Sequence, residues 1–250
     1  MPLASEPRSK SFPFHLVIGS LAAGIALLAL GGQSVPRQAG LPERPAVRRD
    51  QPLARAAAAQ SPQSQVNALA KGKFLIAGRE LRDPNFAESV VLLVEYNADG
   101  AMGLVINNRT EVGLSRLLPD IEELKEREDD LFIGGPVQRK SMLLMLVRSR
   151  TKPSESNHVF ADVYVTGSVA VLEQVIEMGW EADRFRAYAG YAGWGAGQLD
   201  NEVARGDWHV SPADADTVFA PEPADVWKRL IERASLNFAW RPPPRRGAIL

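Results

Sequence analysis

From Lys73 onward, short apolar runs alternate with turn-forming clusters. KFLIAG (Lys73 to Gly78) and SVVLLVEY (Ser89 to Tyr96) have the length and β-branched content of strands, and Asp83-Pro84-Asn85 between them marks a turn. Asn97-Ala98-Asp99-Gly100 joins the second run to AMGLVIN (Ala101 to Asn107), and Asp-Gly tolerates the positive φ of a tight hairpin. LFIGGPV (Leu131 to Val137) leads into SMLLMLVRS (Ser141 to Ser149), and HVFADVYVTG (His158 to Gly167) predicts one more strand. The runs are continuous rather than alternating, so the sheet they form is expected to be largely covered.

Helical spacing predicts three helices. Ser168 is placed to cap VAVLEQVIEMG, where Val171, Leu172, Val175 and Ile176 share one face. QLDNEVARG (Gln198 to Gly206) is short and ends on glycine. In Asp225 to Ala234, Val226, Trp227, Leu230 and Ile231 lie on one side. The tail from Arg241 to Leu250, RPPPRRGAIL, is expected to be disordered.

The amino-terminal part reads differently. Phe14 to Gly32 contains no Asp, Glu, Lys or Arg, and at about 1.5 Å per helical residue it approaches the roughly 30 Å hydrocarbon core of a bilayer. Residues 1–32 therefore predict a membrane anchor or, with Arg8 and Lys10 ahead of it and Ala29-Leu30-Gly31 behind, a cleaved signal. The flanking arginines favour an inner-membrane protein with a cytoplasmic carboxyl-terminal domain, export after cleavage being the alternative. Residues 33–71 predict a Pro/Ala/Arg-rich linker, and 72–240 the folded domain.

Charge and composition narrow the chemistry. After the first sixty-three residues the chain carries 22 basic against 27 acidic side chains, so it lacks the general positive charge that draws proteins to nucleic acid. Nucleic-acid binding is thereby disfavoured. The absence of cysteine removes disulfides, thiolate metal sites and cysteine nucleophiles. His158 and His209 form no metal-binding spacing, and no metal or cofactor is predicted. Asp129-Asp130, Glu122-Glu123 and Asp214/Asp216 sit in hydrophilic stretches and read as solvated surface. Ser89 begins a strand without the turn that would present a nucleophile.

The stretch GYAGWGAGQL offers two readings. Gly190, Gly193, Gly195 and Gly197 can present backbone N–H groups to an anion, or they can let backbone approach the Trp194 ring closely. The spacing is that of neither a phosphate loop nor a dinucleotide fingerprint, which favours packing.

In order, GKFLIAG, DPNFAESVVLL, GAMGLVIN, GGPV and GYAGWGAGQLDNEVARGDW resemble the bacterial AlgH/YqgE family over about Gly72 to Ala234. The resemblance implies an α+β fold, a strongly bent, partly antiparallel sheet forming a pseudo-barrel flanked by helices. Members of that family are described as transcriptional regulators, with no catalytic mechanism attached. Its motif positions here include Asp83, Pro84, Phe86, Ser89, Asn107, Gly134, Gly135, Trp194, Gln198 and Glu202. Gly78-Arg79 departs from the usual Met-Pro pair, and the amino-terminal extension is an addition. The resemblance implies a non-enzymatic regulatory or interaction protein whose candidate surface is Asp83, Ser89, Asn107, Gln198 and Glu202. Its partners are expected to be proteins or a small ligand, with membrane contact through 14–32. The alternatives are a DNA-binding regulator and an enzyme or ligand-binding protein using the Gly-rich loop.

Overall fold

A computed structural model of the protein describes residues 61–239. Helix α1 (Pro62–Asn67) is capped by the Ser61 side chain, which accepts from the Ser64 amide. Strands β1 (Lys73–Ala77), β2 (Val90–Asn97), β3 (Gly100–Val105) and β4 (Arg109–Gly113) follow. Helix α2 (Leu114–Leu117) and a 3-10 turn (Glu122–Glu126) lead to β5 (Asp130–Ile133), β6 (Leu143–Arg148), β7 (Asn157–Phe160) and β8 (Val163–Thr166). After α3 (Val169–Glu177) come β9 (Phe185–Ala189), β10 (Ala192–Gly195), α4 (Gln198–Arg205) and β11 (Trp208–Pro212). Helix α5 (Ala215–Val218), a 3-10 turn (Pro223–Asp225) and α6 (Val226–Ala239) complete the described chain.

The strands make two sheets. One is antiparallel, in the order β10-β3-β2-β1-β11; the other runs β4-β5-β9-β6-β8-β7, with β5 and β9 parallel. Successive side chains of a strand point to opposite faces. Phe74, Ile76, Val90 and Leu92 thus join a central core shared with Phe132, Leu144, Leu146 and Tyr188 of the second sheet. Leu75, Ala77, Val91 and Leu93 face the other way, onto Leu199 and Val203 of α4 and Trp208. The outer face of the second sheet buries Met145, Val147 and Ala187 under Val171, Leu172 and Val175 of α3. Both faces of the inner strands are covered, which is why their apolar runs are continuous, whereas edge strands β4 and β7 are largely exposed.

The expected single pseudo-barrel is corrected to two sheets stacked over one core, with no closed barrel among the described residues. The first sheet does curl. A flat five-stranded sheet would hold its edges roughly 19 Å apart at about 4.8 Å per strand, yet Trp194 on edge strand β10 and Trp208 on edge strand β11 meet with ring centroids 6.1 Å apart. Those edges share no ladder of hydrogen bonds; α4 fills the gap between them.

Other expectations are revised locally. HVFADVYVTG is not one strand but the β7–β8 hairpin, turning at Ala161, whose φ is 43°, and Asp162. Part of the expected linker is folded: the Val210 amide donates to Gln65 Oε1 of α1 at 2.6 Å, and Leu69 is buried beside Trp208. Docking stabilises a helix too short to hold alone. Ser168 precedes α3 but its hydroxyl donates to Glu155 Oε2 instead of capping the helix. The expected inner-membrane placement is corrected as well: among the described residues no helix is long and apolar enough to cross a membrane. The stretch 14–32 and the tail 241–250 lie outside the described residues.

Candidate functional site

Three loops converge where β5 and β9 finish. The first, residues 78–89, joins β1 to β2; the second, 134–142, joins β5 to β6; the third, 190–197, carries β9 through β10 to α4. Each is tied to the others. Arg139 of the second loop donates through Nε to the Gly135 carbonyl at 3.0 Å and through Nη2 to Asn85 Oδ1 of the first at 3.2 Å. Val137 and Tyr191 exchange backbone hydrogen bonds at 3.0 Å, and the Gly190 amide donates to the Met142 carbonyl at 2.9 Å. Phe86 of the first loop stacks on Trp194 at 6.1 Å and meets Trp208 edge-on at 5.6 Å.

Glu202 holds this aromatic group from α4. Its Oε2 accepts from Trp194 Nε1 at 2.8 Å and Trp208 Nε1 at 3.0 Å, while Oε1 accepts from Gln198 Nε2 at 3.0 Å. Gln198 lies one turn earlier on the same face, and its Oε1 accepts from the Gly195 amide at 3.1 Å. The next residue but one, Asp200, accepts from the Tyr96 hydroxyl at 2.9 Å, and burial together with this hydrogen bond pushes the phenol up to about 12. Helix α4 is thus fastened to both the sheet and the third loop.

Ser89 and Asn107 fasten the first loop. Asn107 Oδ1 accepts from the Val90 amide at 2.8 Å, and Nδ2 donates to the Glu88 carbonyl at 3.0 Å. The Ser89 hydroxyl donates to the Phe86 carbonyl at 2.8 Å. Asp83 stands apart at the exposed tip, its Oδ1 accepting from the Asn85 amide at 2.8 Å. Of the five candidate surface residues, then, Gln198 and Glu202 touch each other, Ser89 and Asn107 grip one segment, and Asp83 faces solvent.

The glycines of the third loop serve the same convergence. Gly190 has φ 71° and a Cβ there would lie 2.5 Å from the Val137 carbonyl oxygen. Its amide and that of Gly195 already donate within the chain. Gly193 and Trp194 pair with Met102 and Ala101 of β3, and Gly197 precedes α4 in the left-handed region at φ 68°. Gly134 sits at the corner between the sheets: its carbonyl accepts from Val105 and its amide donates to Ala189. His158 and His209 belong to different sheets, on β7 and β11. Sequence reasoning missed Trp208 and Arg139. The family-like segment GYAGWGAGQLDNEVARGDW, which ends on Trp208, carries a usable signal for the first; nothing local marks the second.

These features define a two-sheet α+β domain whose glycine-rich and DPNF-containing loops are locked into one unit. The chain belongs to the AlgH-like family (DUF179), whose model matches residues 74–239. It is similar to a UPF0301 protein of Cytophaga hutchinsonii, 35% identical over 164 residues that cover 65% of this chain and 88% of that one. A UPF0301 protein of Thioalkalivibrio sulfidiphilus is 39% identical over 170 residues, 67% of this chain and 90% of that one. The solution structure of AlgH from Pseudomonas aeruginosa superimposes with a TM-score of 0.55 at 32% identity, covering 69% of this chain and 95% of that one. None of these names states an activity.

Proposed function

We propose that the protein is a non-enzymatic regulatory protein that binds a protein partner on the face made by the three tied loops. The observation that carries this reading is how the motif side chains are used. Ser89, Asn107 and Glu202, together with the exposed Gln198, commit their side chains to holding loops together, so they shape a surface rather than act on a substrate. What faces outward is Asp83, Pro84 and Glu88 from the first loop and Pro136, Gln138 and Lys140 from the second. Glu88 and Gln138 hold left-handed backbone, at φ 56° and 54°, a strain that persists where the surroundings over-determine it. A rigid face of this kind binds without a large ordering cost. Its acidic and basic side chains are mixed, which suits a protein surface better than a phosphate backbone.

The test is site-specific photo-crosslinking in the source organism. A photoreactive residue replacing Pro84 or Gln138 is expected to yield a discrete protein adduct. One replacing Met178, exposed after α3 and remote from the loops, should not. Asp83→Lys should weaken the adduct without altering thermal stability. The same adducts at Met178 as at the loops, or none at the loops, would contradict the reading.

A further inference from the structure

At the other end of the parallel pair, where β5 and β9 begin, a cavity of about 270 Å³ opens beside Arg186. Phe132, Phe219 and Pro221 form apolar walls, and the ion pair of Arg109 with Asp130, at 2.8 Å, stands at its edge. Arg186 is 5% exposed, a buried cation on a strand otherwise made of Phe, Ala and Tyr. Its Nη1 donates to the Val218 carbonyl at 2.8 Å and Nη2 to the Ala220 carbonyl, while its guanidinium lies 4.8 Å from the centre of the Phe132 ring. A guanidinium has five N–H donors. Nε makes no well-aligned hydrogen bond, its polar neighbour being the equally buried Tyr188 hydroxyl, and no ion pair among the described residues includes Arg186. Of the carboxylates lining the cavity, Asp130 pairs with Arg109 and Asp129 with Arg127 at 2.5 Å, while Asp183 is exposed at the rim and turned to solvent rather than paired with Arg186.

A buried cation without a counter-charge is costly, and carbonyl dipoles and ring faces offset that cost only in part. We infer that this cavity binds a small monocarboxylate with an apolar body, its carboxylate directed to Arg186 and its body against Phe132 and Phe219. One buried positive charge calls for one negative charge, and the lining, with Asp129, Asp130 and Asp183 against Arg109 and Arg186, disfavours a dianion such as a phosphate monoester. The size fits: a dry cavity of about 150 Å³ holds benzene, so this one has room for a ring and a carboxylate. Burial also lowers the Arg186 pKa, and an anion would relieve that pressure. The site is independent of the three loops, which lie beyond the opposite ends of the same two strands.

The probe is 4-fluorobenzoate, titrated against the full-length chain and observed by fluorine NMR. Saturable line broadening at millimolar concentration is expected, reversed by benzoate and unaffected by benzylamine. Ala182→Trp, at an exposed position of the lining, should weaken binding at least about tenfold by obstructing the cavity. Arg186→Met should weaken it similarly; because this change also releases Val218 and Ala220 and can unfold the chain, Ala182→Trp is the deciding variant. Absence of broadening, equal competition by benzylamine, or unaltered binding to Ala182→Trp would overturn the assignment.

Discussion

Trp194 and Trp208, on opposite edge strands of one sheet, donate their indole N–H groups to the same carboxylate oxygen of Glu202, at 2.8 and 3.0 Å. A single charged acceptor on α4 thereby bridges edges that do not pair with each other. Hydrogen bonds to charged groups contribute about 1.5–3 kcal/mol each, and a buried donor left without an acceptor costs about 1–3 kcal/mol. Glu202→Ala is therefore expected to lower unfolding free energy by about 3 kcal/mol, read by urea denaturation with tryptophan fluorescence. Glu202→Gln keeps an acceptor and should lose roughly half as much.

Asn107→Ala should loosen the first loop. The Val90 amide, on a fully buried residue, loses its acceptor, and the Glu88 carbonyl loses its donor. A loss of about 2 kcal/mol is expected. The specific readout is faster hydrogen exchange at Val90, with exchange in β6 of the second sheet unchanged.

His209 supplies a pH dependence. It is half-buried on β11, and burial lowers its pKa, so the folded chain disfavours the charged ring. The unfolded chain binds the proton first. The resulting contribution is complete above the ordinary value of about 6.5 and is lost as pH falls from there through the folded value. Stability measured between pH 7.5 and 5 should decline toward acid, and His209→Gln should flatten that decline. An equal slope in both proteins would sink the assignment to His209.

Gly134→Ala should be among the most damaging small substitutions. A Cβ there would lie 2.3 Å from the Gly190 carbonyl oxygen and 2.9 Å from Leu104 Cδ2, and backbone on that side cannot retreat without parting the sheets. A loss of about 3 kcal/mol is expected from overpacking. Gly179→Ala, at φ 61° but facing open space, should cost only about 1 kcal/mol. Thermal unfolding of the two variants side by side checks the contrast.

Much of this was legible in the chain and some was not. Continuous runs such as SVVLLVEY mark strands covered on both faces, and Asp99-Gly100 marks the β2–β3 hairpin, though not the register shift between Leu93 and Glu95. Strand β9 escaped because Arg186 interrupts its apolar pattern, and a lone arginine reads as surface until its carbonyl partners, distant in sequence, are known. β10 escaped because AGWG has the composition of a turn; pairing with β3, not propensity, makes it a strand. At the candidate site, Gln198 and Glu202 were readable as one helix face. The commitment of Glu202 to Trp194 and Trp208 depends on the curl of the sheet, which periodicity does not encode.

Glu202 and the Phe86 contacts hold the three loops as one unit. Amide hydrogen exchange in the wild type and in Glu202→Ala tests it most directly. Loss of the carboxylate is expected to accelerate exchange together at Gly195 and at Ala87 and Ser89, across the aromatic contact in the first loop. Acceleration confined to α4 and the third loop, with Ala87 and Ser89 unchanged, would contradict it.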